Sequence, residues 1–108
     1  MKWSEGEDFC GKTSGGSLAS VISMDEVKFL SSLAGSNIVK RVWIGGTDIQ
    51  EEGVWQWTDG SAWNFDNFRN GQPNNNNGNQ HCLTINLGTG EWENDPCSGK
   101  RFVLCKRD

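Results

Sequence analysis

The sequence has little that would suit a membrane span, a nucleic-acid interface or a catalytic centre. It contains no run of 18 apolar residues, so we expect no transmembrane helix and no insertion into a membrane. The formal net charge is −4 and no stripe of basic residues occurs, which argues against nucleic acid as a partner. Histidine occurs once, as His81, and no motif offers it a nucleophile, so an enzyme is not expected.

The apolar fraction is low, at 34%, which allows only a modest core in 108 residues. Six residues are tryptophan, whose large rings bury much area per residue. We expect four of them in the core, namely Trp43, Trp55, Trp57 and Trp92. Fourteen glycines indicate a loop-rich fold with many tight turns. The composition therefore predicts one loop-rich domain that spans residues 1–108.

The four cysteines include no CxxC pair, which argues against a cysteine-based zinc site. An even number in a small chain favours two disulfides and an oxidising compartment, so we expect a secreted, extracellular protein. Of the three possible pairings, spacing favours Cys82–Cys97 across a short loop and Cys10–Cys105 between the chain ends. Four reduced, buried thiols in a cytosolic protein are the alternative.

Two helices are predicted first along the chain. Ser4 and Glu7 form a capping-box pattern, and glycines at 15 and 16 end the element that follows. Ser23 and Glu26 form a second capping box, and apolar residues at helical spacing then continue to Gly35, a natural residue for the position after a helix.

After Gly35 the pattern changes to short strands, which we expect at residues 42–45, 54–57, 82–87 and 102–105. Residues 61–81 have little regular pattern. A long loop inside a small domain usually carries function, and this one is rich in oxygen-bearing side chains that suit calcium or sugar hydroxyls. Its aromatic residues are expected to pin the loop to the core, namely Trp63, Phe65 and Phe68.

Four segments in this order resemble the C-type lectin-like domain. Residues 15–20 (GGSLAS) resemble its GG-x-LA-x segment, residues 42–46 (VWIGG) its WIGL strand, and residues 52–61 (EGVWQWTDGS) its EG-x-W-x-W-x-DG-S segment. Cys97 and Cys105 resemble its final C-x7-C. The resemblance covers nearly the whole chain and implies an α+β fold in which two helices pack on short antiparallel sheets with a long ligand-binding loop. It also implies the disulfide pairing given above.

One departure lies at the N-terminus. The family has a strand before its first helix, whereas here Trp3 already falls in sequence typical of a helix start. We expect this strand to be missing or truncated, which would leave a sheet edge exposed.

The resemblance also implies a calcium and sugar site in the long loop. In calcium-dependent members, an E-P-N or Q-P-D tripeptide holds the ion with a nearby Glu and the Asn-Asp of a W-N-D strand. Here the tripeptide is Gln72-Pro73-Asn74, with a cis Pro73 aiming both side chains at one point, and the Glu position falls on Gln80. The W-N-D positions fall on Glu93 and Asn94, or on Asn94 and Asp95 after a one-residue slip.

The predicted ligand set is therefore Gln72, Asn74, Gln80 and Asn94 with Glu93 or Asp95. Amides stand where the family usually has two or three carboxylates, and ligand charge sets calcium affinity, so we expect a weak calcium site. The family's accessory calcium site would use Asp48 and Glu52. Its remaining positions fall on Asn75, Gln80 and His81 in place of acids, which argues against an ion there, and His81 is expected to be only a neighbour of the site.

The function that the resemblance implies is carbohydrate binding through calcium, with Gln72, Asn74, Gln80, Glu93 and Asn94 on the sugar. No aromatic residue follows the tripeptide, so mannose-, glucose- or fucose-type ligands are favoured over galactose. Recognition of microbial surface glycans in innate immunity is expected, with oligomers raising avidity. The alternative is a calcium-independent module that binds a protein, another glycan surface or ice.

Overall fold

The computed structural model describes residues 1–13, 15–33, 41–72 and 80–106. The described elements are two helices, α1 (Trp3–Thr13) and α2 (Met24–Leu33), and six short strands. The strands are β1 (Ser17–Leu18), β2 (Arg41–Thr47), β3 (Gln56–Trp57), β4 (Cys82–Asn86), β5 (Trp92–Asp95) and β6 (Cys105–Lys106). This arrangement confirms the α+β class with two helices and antiparallel sheets.

Helix α1 begins earlier than the sequence pattern predicted. It starts at Trp3, so Ser4 lies inside the first turn, and the carboxylate of Glu5 accepts a hydrogen bond from the N–H of Lys2 at 2.8 Å. Glu7, predicted to complete the cap, instead accepts the N–H of Leu18 at 2.8 Å. The predicted cap was wrong because Glu7 serves a tertiary contact that fixes β1 against the helix.

Helix α2 has the predicted cap. The Ser23 hydroxyl accepts the N–H of Glu26 at 3.2 Å, and the Ser23 carbonyl accepts the N–H of Val27 at 3.2 Å. Val27 is 4% exposed and faces the core, whereas Phe29 is 61% exposed and does not. Gly35, predicted to follow the helix, lies outside the described residues.

The larger sheet has the order β3-β2-β4-β5, with all pairs antiparallel. Strand β5 pairs with β4 so that Asn94 stands opposite Leu83 and Asp95 opposite Cys82. The smaller sheet pairs β1 with β6. The strand predicted at residues 102–105 is shorter than expected and begins at Cys105, although Val103 makes an isolated bridge to Trp43.

The core contains the four tryptophans predicted for it. Trp43 and Trp92 are fully buried, and Trp55 and Trp57 are 9% and 4% exposed. Apolar side chains of β2 and β4 belong to the same buried cluster as Trp55, Trp57 and Trp92, namely Ile44, Leu83 and Ile85. A second cluster joins Trp3, Leu18 and Trp43 to the two buried cysteines, Cys10 and Cys82.

Both predicted disulfides are present, Cys10–Cys105 and Cys82–Cys97. The first ties α1 to β6, and the second ties the start of β4 to the turn that follows β5. Within the described residues, neither helix has the length and apolar character that a membrane-spanning helix requires.

Candidate functional site

The two described ends of the long loop meet at Asn94, in the middle of β5. The side-chain oxygen Oε1 of Gln72 accepts the backbone N–H of Asn94 at 3.1 Å. The side-chain Nδ2 of Asn94 donates to the backbone carbonyl of Gln80 at 2.9 Å. Asn94 is 2% exposed, because its side chain lies on the same face of β5 as the core residue Trp92. The structure therefore brings together three of the predicted site residues.

In this amide cluster (Gln72, Gln80 and Asn94), Gln72 and Asn94 take part through side-chain amides and Gln80 through its backbone carbonyl. Each primary amide carries one acceptor oxygen and two donors, so such a group can accept from one sugar hydroxyl and donate to another. Amide oxygens can also ligate calcium, but they add no charge to the site. Pro73 and Asn74, the remaining members of the predicted tripeptide, lie outside the described residues.

The two carboxylates of β5 alternate with Asn94 and contact arginines. Oδ2 of Asp95 lies 2.7 Å from Nη2 of Arg41 and 2.8 Å from Nη2 of Arg101. Asp95 was one of the two carboxylates that the sequence offered as a calcium ligand. Charge-assisted hydrogen bonds of this length are strong, so a metal ion would have to compete with both guanidinium groups for Asp95.

The other offered carboxylate, Glu93, is engaged in the same way. Its Oε1 lies 2.6 Å from Nη2 of Arg69, and its Oε2 lies 3.4 Å from Nε of Arg41. Arg41 is held in place by Thr84, whose hydroxyl accepts from Nη2 at 2.9 Å. Glu93, Asp95 and these arginines thus form a charge network on the face of β5 opposite to the side chain of Asn94.

Sequence reasoning missed this network because nothing local indicates it. Arg41 and Asp95 are 54 residues apart, and only the sheet register places them together. From the sequence alone, each arginine would be expected to be an exposed charge. Its carboxylate partner becomes evident only in the assembled sheet of β2, β4 and β5.

A second group of potential ligands contains Asp48, Glu52 and His81. Their donor atoms all lie within 4.8 Å of one another. Nδ1 of His81 is 2.9 Å from Oδ1 of Asp48 and 3.7 Å from Oε1 of Glu52. The family resemblance implied an accessory site with Asp48 and Glu52, the remaining residues argued against an ion there, and His81 was expected to be only a neighbour; the structure places the imidazole next to both carboxylates.

The aromatic residues of the long loop pack against the core, as predicted. Trp63 lies 4.6 Å from Trp57 between ring centroids and stacks on Trp55 at 6.5 Å. Phe65 and Phe68 meet the ring of Trp92 edge-on, at 5.9 and 5.5 Å. These contacts fix residues 63–68 and so position the segment that leads to Gln72.

The family model described as the lectin C-type domain matches residues 1–107. The chain belongs to the C-type lectin domain family. It is 37% identical over 112 residues to the galactose-specific lectin nattectin of Thalassophryne nattereri, a match that covers 100% of this chain and 69% of nattectin.

Solved structures of other family members have the same fold as this C-type lectin domain. A calcium-independent type II antifreeze protein has a TM-score of 0.84 at 27% identity, over 95% of this chain and 75% of that one. The carbohydrate-recognition domain of cow CD23, solved in the presence of a GlcNAc2Man3 oligosaccharide, has a TM-score of 0.84 at 28% identity, over 95% and 76% of the chains.

These similarities confirm the predicted C-type lectin-like fold and place the chain in a carbohydrate-binding family. The same fold serves an antifreeze protein described as calcium-independent and a domain solved with an oligosaccharide, so family membership does not by itself assign the ligand.

Proposed function

We propose that this C-type lectin domain binds glycan hydroxyls at the amide cluster and holds calcium there only weakly. The observation that carries the proposal is the convergence of Gln72 and Gln80 on Asn94, at 3.1 and 2.9 Å. Asn74 is kept as a proposed fourth member because it completes the tripeptide. The fixed ends of the loop reduce the ordering cost when a sugar binds.

The expected weakness of calcium binding follows from charge. The amide cluster contributes neutral oxygens, and calcium sites gain affinity with the number of carboxylate ligands. Glu93 and Asp95 are the nearest acids along β5, and both are bound to arginines. We therefore expect dissociation constants on the order of millimolar, as in weak extracellular modules.

The sugar class follows less directly from the residues. Residues 75–78 include no aromatic side chain on which the apolar face of galactose could stack, so mannose-, glucose- or fucose-type ligands stay our prediction. Nattectin, which is 37% identical, is a galactose-specific lectin by its name. The binding experiment should therefore include galactose-type glycans as well as mannose-, glucose- and fucose-type glycans.

We further propose that the domain acts outside the cell, on microbial surface glycans. Two disulfides favour an oxidising compartment. Single sugar sites bind weakly, and repeated glycans on a cell surface would raise the apparent affinity of an oligomer without any new contact. Innate immune recognition fits this combination.

A glycan array tests the proposed function. The protein is applied with about 10 mM calcium, without added calcium, and with a chelator. We expect binding to mannose-, glucose- or fucose-type glycans in calcium and its loss in chelator; binding to galactose-type glycans instead would overturn the predicted sugar class. Absence of glycan binding under all three conditions would overturn the lectin proposal, and equal binding in chelator would overturn the role of calcium.

Two matched variants sharpen the assignment. Asn94→Asp puts a carboxylate oxygen where Nδ2 now donates to the Gln80 carbonyl, so a calcium ion bound between these oxygens would gain a charged ligand, and calcium affinity should rise by about tenfold. Asp95→Asn removes a carboxylate that contacts Arg41 and Arg101, so calcium affinity should change by less than about twofold. Isothermal titration with calcium measures both.

The arginine contacts of Glu93 and Asp95 support a second candidate, a calcium-independent module that binds a protein, another glycan surface or ice. The fold of the calcium-independent type II antifreeze protein is compatible with it. Thermal unfolding separates the two candidates, since a ligand that binds only the folded state raises the melting temperature. No shift with about 10 mM calcium, together with glycan binding that survives chelator, would favour the second.

A further inference from the structure

We propose that Asp48, Glu52 and His81 bind a borderline divalent ion of the zinc type and not calcium. The family resemblance points to an accessory calcium site here, but the donor set does not fit calcium. Calcium takes oxygen ligands, whereas imidazole nitrogen suits zinc, copper, iron and nickel. Zinc accepts both histidine nitrogen and the carboxylate oxygens of Asp and Glu as ligands.

The distances fit a small tetrahedral ion. Zinc–nitrogen and zinc–oxygen bonds of about 2.0–2.2 Å place tetrahedral ligand atoms about 3.3–3.5 Å apart. Nδ1 of His81 lies 2.9 Å from the Asp48 oxygen and 3.7 Å from the Glu52 oxygen, on either side of that value. Shifts of a few tenths of an ångström would bring each of these two distances to that value, and the donor atoms of Asp48 and Glu52 lie within 4.8 Å of each other. The fourth position would stay open for water or another ligand.

The backbone holds two of the three ligands in place. The His81 carbonyl accepts the N–H of Asp48 at 3.2 Å and the hydroxyl of Thr47 at 2.7 Å, so His81 is fixed next to the end of β2. The N–H of Gly53 donates to Oδ2 of Asp48 at 2.9 Å and leaves Oδ1 facing the imidazole. A hydrogen bond to the second oxygen of a ligating carboxylate is the kind of support that orients metal ligands.

Charge and burial also favour a cation. The side chain of Asp48 is 1% exposed, and a buried carboxylate is costly unless it is paired or bound to a metal. In the described part of the chain, the ion-pair partner of Asp48 is His81, which is charged only when protonated. Two carboxylates and a neutral imidazole carry two negative charges, and one divalent ion would balance them.

The single histidine makes the decisive experiment direct. In a uniformly ¹⁵N-labelled protein without a histidine tag, all imidazole signals come from His81. We expect one equivalent of zinc chloride to shift the His81 Nδ1 resonance, and about 10 mM calcium chloride to leave it in place. Unmoved imidazole signals in zinc, or equal shifts in calcium, would overturn the proposal.

Variants test the two side chains that are easiest to change without disturbing the core. His81→Asn and Glu52→Gln should each weaken zinc binding by at least about tenfold in isothermal titration. Glu51→Gln makes the same change one residue from Glu52 in an exposed side chain outside the group, and should stay within about twofold of wild type. Equal zinc affinity in all four proteins would overturn the assignment.

A protonated His81 that simply bridges Asp48 and Glu52 is the competing arrangement. In that case His81→Asn would lower the melting temperature, and zinc would leave wild-type melting and the wild-type imidazole signals unchanged, which would also overturn the proposal. The glycan experiment stands apart from this one, because Gln72, Gln80 and Asn94 are not among the three donors.

Discussion

Asp59 shows how a residue of a family motif serves stability. One of its carboxylate oxygens accepts the hydroxyl of Ser20 at 2.6 Å, and the other accepts the N–H of Ser61 at 2.9 Å. Lys106 lies close by, with Nζ 3.2 Å from the Ser20 hydroxyl. Burial raises the pKa of Asp59, but hydrogen bonds from Ser20 and Ser61 and the charge of Lys106 outweigh burial and lower that pKa below its ordinary value of 3.8.

The lowered pKa predicts how Asp59 contributes to stability at different pH values. Because the folded state holds the carboxylate form, the contribution is fully present above the unfolded pKa and is lost as pH falls through the folded pKa. Asp59→Asn should therefore reduce the free energy of unfolding at pH 7 by about 1–2 kcal/mol. Urea unfolding of both proteins from pH 7 to about pH 2.5 should show the difference narrowing below about pH 4.

Asp8→Asn is the control for this prediction. Asp8 pairs with Lys12 at 3.0 Å in an exposed pair on α1, and such pairs contribute only about 0.3–0.5 kcal/mol. A difference between wild type and Asp59→Asn that stays constant across the pH range would contradict the role given to Asp59.

Among the residues of the predicted site, some positions could be predicted from the sequence and some contacts could not. Gln72, Gln80 and Asn94 follow from a linear motif, and the structure brings these three together. The engagement of Glu93 and Asp95 by arginines depends on strand register, and the position of His81 beside Asp48 depends on how β2 and β4 meet. The arginine contacts leave no local pattern in the chain, whereas the family resemblance had already assigned Asp48, Glu52 and His81 to positions of one accessory site.

Among the elements, β2 is constrained by its neighbours at Gly45. Its N–H donates to the carbonyl of Ala19 at 2.8 Å, and its carbonyl accepts the N–H of Thr58 at 3.0 Å. A Cβ atom at this position would lie 2.6 Å from the backbone oxygen of Leu18. The register of β2 with β4 also shifts between Trp43 and Thr47. A glycine at position 45 lets the backbone at Leu18, in β1, approach this irregular part of β2.

Gly45→Ala should therefore destabilise the domain by about 1–3 kcal/mol, because the clash is with backbone and cannot be relieved by a rotamer change. Gly11→Ala is the matched control. It lies in α1, its Cβ would meet nothing nearer than the Gly16 oxygen at 3.8 Å, and alanine favours a helix over glycine by about 1 kcal/mol. Guanidinium unfolding should show a lower free energy of unfolding for Gly45→Ala and a slightly higher one for Gly11→Ala. If Gly45→Ala were as stable as wild type, the close approach of the Leu18 backbone to Gly45 would be contradicted.

The elements were predicted best where local signals act alone. The Ser23 cap of α2 is local and was predicted correctly. The start of α1 was not, because Glu7 bonds to Leu18 across the fold, and the two-residue strand β1 exists only through its pairing with β6. Such short elements are defined by tertiary contacts, so propensity carries little information about them.

For the whole molecule, the two disulfides act on loops of very different length. Cys10–Cys105 spans 95 residues and joins α1 to β6, and Cys82–Cys97 spans 15 residues beside the long loop. One cysteine of each pair, Cys10 and Cys82, is fully buried in the same cluster. Replacing either pair with alanine therefore disturbs similar surroundings, which makes the two double variants comparable.

On the chain-entropy account, removing Cys10–Cys105 should lower the free energy of unfolding by about 4–5 kcal/mol, and removing Cys82–Cys97 by about 3 kcal/mol. The expected difference of about 1.6 kcal/mol arises from loop length in the unfolded chain. Guanidinium unfolding of Cys10→Ala/Cys105→Ala and Cys82→Ala/Cys97→Ala measures it. A larger loss of stability in Cys82→Ala/Cys97→Ala would mean that this disulfide stabilises native contacts around β4 and β5. Glycan binding by the same variant should then also fall, because Asn94 lies on β5 next to the disulfide.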